Sequence, residues 1–394
     1  MTPESTGAAA TRGSIPHEVS SEPFDPLSVE QFSEAQERFY LASQWRMMWW
    51  RFLRHRVAVI AGLFLLIAYI SIIFGEFLAP YELQSRHSQF TFAPPQSLHL
   101  FHDGNFIGPF VYGFDVELNV ETLEQEYAVN PEKVEKLRFF CLGEKYKFWG
   151  LTAGRFHLFC PAEQGTVFLF GTDRLGHDMF SRLIYGARIS LTIGLFGVAV
   201  SFLLGIVIGG LAGYHGGWID NLTQRLIEIL RSIPHVPLWL ALAAVMPANW
   251  SPILVYFAIT IILGLLEWTG LARAVRSKLL ALREEDFCVA AQLMGARPRR
   301  IIGRHLLPSF LSHLIASATL AVPSMILGET ALSFLGLGLR PPIISWGVLL
   351  SEAQDLNAVA LYPWLMAPAI PVILVVLAFN FLGDGLRDAA DPYK

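Results

Sequence analysis

Asp286-Phe-Cys-Val-Ala-Ala-Gln-Leu-Met-Gly295, followed after a basic stretch by His305-Leu-Leu-Pro308, is a polar, arginine-rich interruption between two long apolar runs. Ala291 and Gly295 stand four apart, so a helix through both would carry them on one face nearly bare of side chain. Outside a membrane, such a face suits close docking into a groove of another protein. The plainer alternative is an ordinary helical loop joining two membrane spans. What flanks the loop decides how it is read.

The flanks are membrane-like. Of the 394 residues, 53% are hydrophobic and only 16% charged, and the mean hydropathy is +0.45. A helix needs about 20 apolar residues to cross the hydrocarbon core. Six stretches meet or approach that length, at roughly 57–78, 189–212, 224–246, 252–272, 310–333 and 363–383. The third is unlike the rest: Arg225, Glu228 and Arg231 charge its start, and Pro234 and Pro237 interrupt it. A kinked, half-buried entry is expected there.

Basic residues orient the spans. Arg46, Arg51, Arg54 and Arg56 precede the first, and 273–308 carries Arg273, Arg276, Lys278, Arg283, Arg297, Arg299, Arg300 and Arg304. The stretch 334–362 has Arg340 as its only basic residue. Six crossings beginning inside place both basic regions in the cytoplasm and 334–362 outside. The expected fold is therefore an all-α polytopic membrane protein, N-in and C-in.

Residues 1–30 lack an apolar run and read as a disordered cytoplasmic tail. Residues 31–56 read as an amphipathic cytoplasmic helix, with Trp45, Trp49 and Trp50 beside arginines suited to the headgroup layer. The first span follows at 57–79. Residues 80–170 are too many for a simple outer loop. Short aromatic runs broken by turn residues point to a small β-rich insertion, with a helical interlude near 119–137. Of three cysteines, Cys141 and Cys160 lie in the insertion and Cys288 in the inner loop. Two cysteines in an oxidising compartment allow a single bridge, and two free buried thiols are the equal alternative. Residues 171–394 form the core, with the other five spans and the inner loop 273–308.

Phe170-Gly-Thr-Asp-Arg-Leu-Gly-His-Asp178 leads into Phe180-Ser-Arg-Leu-Ile-Tyr-Gly-Ala-Arg188. Its glycines permit tight turns, and its aspartates can cap the next helix. Asp173, His177 and Asp178 are a thin basis for a metal site, and none is assigned. The string resembles the stretch before the second span of dipeptide and oligopeptide permeases. Further collinear matches are Gly213-Tyr-His-Gly-Gly-Trp-Ile-Asp220, Glu329-Thr-Ala-Leu-Ser-Phe-Leu-Gly-Leu-Gly338, Pro341-Pro-Ile-Ile-Ser-Trp-Gly347 and Asn380-Phe-Leu-Gly-Asp-Gly-Leu-Arg-Asp388. They cover about 168–394 densely and 46–79 more loosely. The inner loop then resembles the coupling loop of ATP-binding-cassette importer permeases. That pattern runs Glu-Ala-Ala, three residues, Gly, nine residues, Ile, one residue, Leu-Pro. Ala290, Ala291, Gly295, Leu307 and Pro308 match it, while Val289 and His305 depart from it.

The resemblance implies the second permease subunit of a peptide-type importer in the bacterial inner membrane. Its implied partners are a homologous permease, two cytoplasmic P-loop ATPases and an extracytoplasmic substrate-binding protein. ATP and Mg would then sit in the ATPases, and no cofactor in this chain. Asp286, Ala290, Ala291, Gly295, Arg299, Leu307 and Pro308 are the expected ATPase-coupling residues. The insertion is larger than usual for that subunit, and its aromatics are expected to enlarge the contact with the binding protein.

No Gly-Lys dipeptide occurs, so the chain lacks the phosphate-cradling loop of a P-loop ATPase. Neither Gly-x-Ser-x-Gly nor His-Glu-x-x-His offers a catalytic constellation, so the chain is not expected to be an enzyme. A net charge of −4 gives no case for nucleic acid. Glu267, Glu329, Ser333 and Asn380 lie within or near spans, where polar groups either line a path or bond helices together. The rival reading is an ion-gradient carrier, a class that often shows internal repeats; no convincing repeat is present.

Overall fold

The protein, a computed structural model, is described over residues 44–120, 125–162, 165–247 and 249–390. It divides into two units, residues 1–47 and 48–394. The expected tail at 1–30 and the start of the expected amphipathic helix lie outside the described residues. Helix α1 spans Gln44–Arg54 and exposes Trp45 and Trp49. It stops at His55, whose Nδ1 accepts the Ala58 amide at 3.2 Å and so caps α2 (Arg56–Ile73). The surface helix and the first span are thus separate elements.

Among the described residues, five helical stretches are long and apolar enough to cross a membrane. They are α2 (followed by the short α3, Gly75–Leu78), α4 (Met179–His215), α7 (Pro252–Leu282), α9 (Leu311–Phe334) and the run Pro363–Ala390, which follows the short α11 (Leu356–Leu361) and ends in α12 (Ala369–Ala390). The expected third span is a broken pair, α5 (Gly217–Ser232) and α6 (His235–Ala244), bent by 84°. The number of spans is six only if that pair counts as one. Pro234 causes the break: it disfavours helix at the residue before it, and Ile233 is extended at ψ 129°. Helix α4 is longer than the expected 189–212, because Asp178 caps it upstream by accepting the Ser181 amide at 2.8 Å. At about 1.5 Å per residue, it outreaches the hydrocarbon core.

Helices α4 and α7 meet backbone to backbone. A Cβ on Gly209 would lie 2.4 Å from the Ala272 carbonyl oxygen, and one on Gly213 2.8 Å from that of Arg276. Gly205 faces the Leu271 side chain on the same seam, and from the other side a Cβ on Gly264 would lie 3.0 Å from the Gly197 carbonyl. Small residues at a spacing of four let membrane helices approach this closely. Arg276 on α7 also holds Asp220 of α5 through two guanidinium hydrogen bonds.

A second tie lies at the other end. Glu329 of α9 is fully buried and accepts hydrogen bonds from Ser190 of α4 (3.1 Å) and Ser333 (2.8 Å). Ser190 in turn accepts the Trp346 amide at the start of α10 (Trp346–Ser351), and Ser333 accepts the Leu339 amide. These groups bond helices and loop together. Glu267 lies 3.3 Å from His235, joining α7 to α6.

The insertion is β-rich. Strands β1 (His99–His102), β2 (Asn105–Leu118) and β3 (Gln125–Lys136) form an antiparallel sheet in that order, and β4 (Arg138–Phe148) pairs with β5 (Thr152–Cys160). The helical interlude expected near 119–137 is instead the strand β3, hydrogen-bonded to β2 along Phe110–Leu118. Its local sequence carries enough Glu and Lys to read as helix, and cross-strand pairing overrides that preference. Tyr81, Ala93, Phe114 and Phe168 form the core of the insertion. A disulfide joins Cys141 to Cys160, whose Cα atoms are 6.2 Å apart. Closing a loop of this size contributes about 3 kcal/mol to a small domain.

The glycine seam yields a paired test. Gly209→Ala drives a methyl into the α7 backbone and should cost about 1–3 kcal/mol, seen as a lower thermal midpoint in detergent. Gly210→Ala meets its nearest neighbours only at 3.9 Å and should leave the midpoint unchanged or slightly raised.

Candidate functional site in the loop between α7 and α9

The loop begins where α7 ends at Arg283 and Glu285 turns extended. Helix α8 (Asp286–Leu293) follows, with Asp286 in its first turn, where a carboxylate complements the helix dipole. A second helical piece starts with Pro298 and widens to a π-turn over Ile301–Leu306 before Leu307–Ser309. Pro308 has no amide to give the helical ladder, and the wider turn accommodates it.

One side of this loop is core. Cys288 and Ala291 of α8 pack with Ile301, Leu306 and Phe310 against Leu271, Val275 and Leu279 of α7 and Leu314 of α9. Burial pushes the Cys288 thiol up, so it serves as packing rather than as a reactive group. The other side is an exposed apolar knob. Leu293 and Met294 are 84% and 82% exposed, and Phe287, Val289 and Ala290 are exposed beside them. Arg297, Arg299, Arg300 and Arg304 are exposed along the neighbouring stretch.

The shared bare face expected of Ala291 and Gly295 does not exist. Ala291 points into the core at 3% exposure, and Gly295 lies beyond the end of α8. Gly295 takes φ +75°, its amide bonding the Gln292 carbonyl (2.9 Å) while the Ala296 amide bonds that of Ala291 (3.0 Å). That pair of bonds is a Schellman stop, which favours glycine for its backbone. A Cβ there would meet nothing within 4 Å. Of the other expected coupling residues, Asp286, Ala290, Arg299 and Pro308 are exposed and Leu307 is half-buried. Sequence reasoning passed over Leu293 and Met294. Their signal was two large apolar residues directly before a helix-stopping glycine.

The Gly171–Asp178 string serves the fold. Asp173 accepts the amides of Leu175 (2.7 Å) and His177 (2.8 Å), and its second oxygen meets His177 Nδ1 (2.7 Å) and Arg182. Arg182 also reaches Glu352 at 3.2 Å. Burial pushes the Asp173 carboxyl up, but His177 and Arg182 outweigh it and hold the group below the usual carboxylate range.

A substitution series separates backbone strain from surface chemistry. Gly295→Asn keeps access to the left-handed region and should leave the thermal midpoint near that of the parent, whereas Gly295→Val should lower stability by about 1–2 kcal/mol.

Residues 205–393 match the family described as binding-protein-dependent transport system inner membrane component. Residues 43–95 match the N-terminal TM domain of oligopeptide transport permease C. The dipeptide transport system permease protein DppC of Bacillus subtilis (strain 168) is 41% identical over 223 residues, 57% of this chain and 68% of the relative. The oligopeptide transport system permease protein OppC of Haemophilus influenzae is 42% identical over 233 residues, 59% of this chain and 72% of the relative. Among solved structures, a chain of the inward-facing MetNI methionine ABC transporter is 20% identical with a TM-score of 0.42. That match covers 54% of this chain and 97% of the other.

Proposed function

The chain belongs to the family of binding-protein-dependent transport system inner membrane components, and we propose that it is a six-span, N-in and C-in permease subunit of a peptide-type ATP-binding-cassette importer. In this reading it takes a peptide or related small solute from an extracytoplasmic binding protein across the bacterial inner membrane. It pairs with a second permease, and two ATPases supply the energy, holding the ATP and Mg that this chain has no loop to bind. The solute class rests on the dipeptide and oligopeptide permeases to which the chain is similar.

The exposed knob of α8 carries the coupling assignment. Phe287, Leu293 and Met294 present large apolar side chains to water on the basic side of the chain, and exposed apolar clusters of this kind mark contact surfaces. Asp286, Ala290 and Gly295 neighbour the knob along α8 and its stop, and Arg299 and Pro308 are exposed further along the same loop. The open space in front of Gly295 leaves room for a partner's surface. Ala291 and Leu307 act from behind, as packing that fixes α8 to α7 and α9. A push on α8 would pass through Leu271, Val275 and Leu279 into α7, and across the glycine seam into α4.

Leu293→Asp with Met294→Asp removes the knob without touching the core behind it. The chain should still insert and fold, while solute-stimulated ATP hydrolysis by the reconstituted transporter is lost. Unchanged stimulation would overturn the docking role.

Topology has its own test. In intact cells, an impermeant thiol reagent should label Glu132→Cys in the insertion and spare Arg299→Cys in the inner loop. The opposite pattern would invert the orientation and put the knob on the wrong side for an ATPase.

A further inference from the structure

The β4–β5 hairpin is held against the end of the first span. Its three-residue turn, closed by the Phe148–Thr152 pair, places Trp149 at φ 50° and Gly150 at φ 74°, left-handed conformations that tight hairpin turns use. Such a φ is unusual for a bulky residue, and three contacts hold Trp149 there. Its amide donates to Glu76 Oε1 (3.0 Å), its indole N–H donates to the Ile73 carbonyl (3.1 Å), and the Arg188 guanidinium sits 4.1 Å from its ring centroid. Arg188 is itself fixed by two hydrogen bonds to Glu76 (2.8 and 2.7 Å) and two to the Ile72 carbonyl (3.0 and 2.9 Å).

These bonds set the height of the hairpin tip. Helix α2 has 18 residues, which at about 1.5 Å each is close to the thickness of the hydrocarbon core. Ile73 ends it, so Trp149 lies at the level where hydrocarbon gives way to headgroups. The outward side of α2 is apolar and open along its length, with Ile60, Leu63, Leu66, Ile67, Ile70 and Ile73 all exposed. The hairpin continues that surface. Leu151, beside Trp149, is 86% exposed. Phe156 stacks on Phe77 just past α2 (5.7 Å between centroids) and on Phe140 (6.3 Å), and Leu142 pairs with it across the strands. Phe140, Leu142 and Phe156 are all exposed. Lys145, Lys147 and Arg155 are exposed on the same two strands.

We propose that the β4–β5 hairpin is a monotopic membrane contact, with its Trp149–Leu151 tip and its Phe140, Leu142 and Phe156 side chains seated in the interfacial layer of the leaflet where α2 ends. Tryptophan is favoured at that depth, and a mixture of aromatic and basic side chains is what an interfacial element presents to lipid. An apolar surface continuous with a lipid-facing helix is covered by the same lipid. The hairpin's aromatics therefore face the bilayer rather than the substrate-binding protein. The hairpin would brace the outer end of α2 against tilting and hold the Glu76–Arg188 pair under a lid of Trp149.

The test is the depth of a nitroxide at Leu151→Cys and, separately, at Phe156→Cys, in a Cys288→Ser background. The full chain is reconstituted with its transport partners in nanodiscs containing phosphatidylglycerol. Glu132→Cys on β3, an exposed site, is the aqueous reference. At both hairpin sites the ratio of oxygen to nickel-chelate collision rates should exceed that of the reference several-fold. A ratio equal to that at Glu132 would mean water covers the patch, and loss of collisions with both agents would mean protein covers it; either result overturns the proposal. Leu151 lies in an exposed turn, so its label leaves the packed Phe156–Phe77 pair intact and stays informative if the Phe156 variant is poorly folded.

Discussion

The contact of α4 with α7 at Gly205, Gly209 and Gly213 is the constraint on which the rest of the molecule is built. Helices in lipid gain no hydrophobic advantage from touching each other, so their association depends on close van der Waals packing and on hydrogen bonds. A glycine seam supplies the first by bringing carbonyl and Cα atoms of the two backbones together. The Asp220–Arg276 pair supplies the second beside the seam and recruits α5. Because α8 packs on the continuation of α7, the loop between α7 and α9 has a firm base. Displacing it means moving α7, and α7 cannot move without α4.

The other end of the bundle is tied by buried polar groups. Glu329 with Ser190 and Ser333, Asp173 with Arg182 and Glu352, and Glu76 with Arg188 each join a helix to a loop or to another helix. Removing Arg188 would leave the Glu76 carboxylate buried without its charge partner, which costs several kcal/mol. Such pairs specify arrangement more than they add stability. They position the loops at 79–98, 165–178 and 335–345 around α4 and so give the insertion a fixed platform. The broken α5–α6 pair lacks ties of this number, and its sides are largely exposed.

Membrane class, the positions of the five strong spans, the kink at Pro234 and the β character of the insertion were all legible, because each depends on local composition or on one residue's backbone chemistry. The spacing of Gly205, Gly209 and Gly213 was equally open to view, but it is silent about which helix lies opposite. The loop shows where such reading fails. Four-residue spacing put Ala291 and Gly295 on one face only so long as the helix continued, and the Schellman stop at Gly295 ends it first. The strand β3 fails in a related way, since its Glu and Lys content is compatible with helix until β2 offers hydrogen bonds.

By itself the sequence determined that this chain lies in a membrane, where most of its helices run, and that a basic loop with a glycine and a proline stands between two of them. These follow from transfer free energies and backbone preferences that each residue carries wherever it is placed. Only the tertiary structure decided which side of α8 is buried, which carboxylate meets which arginine, that Cys141 reaches Cys160, and that Trp149 comes down onto the last turn of α2. Those outcomes depend on distances between segments far apart in the chain, and such distances are set by how the helices pack.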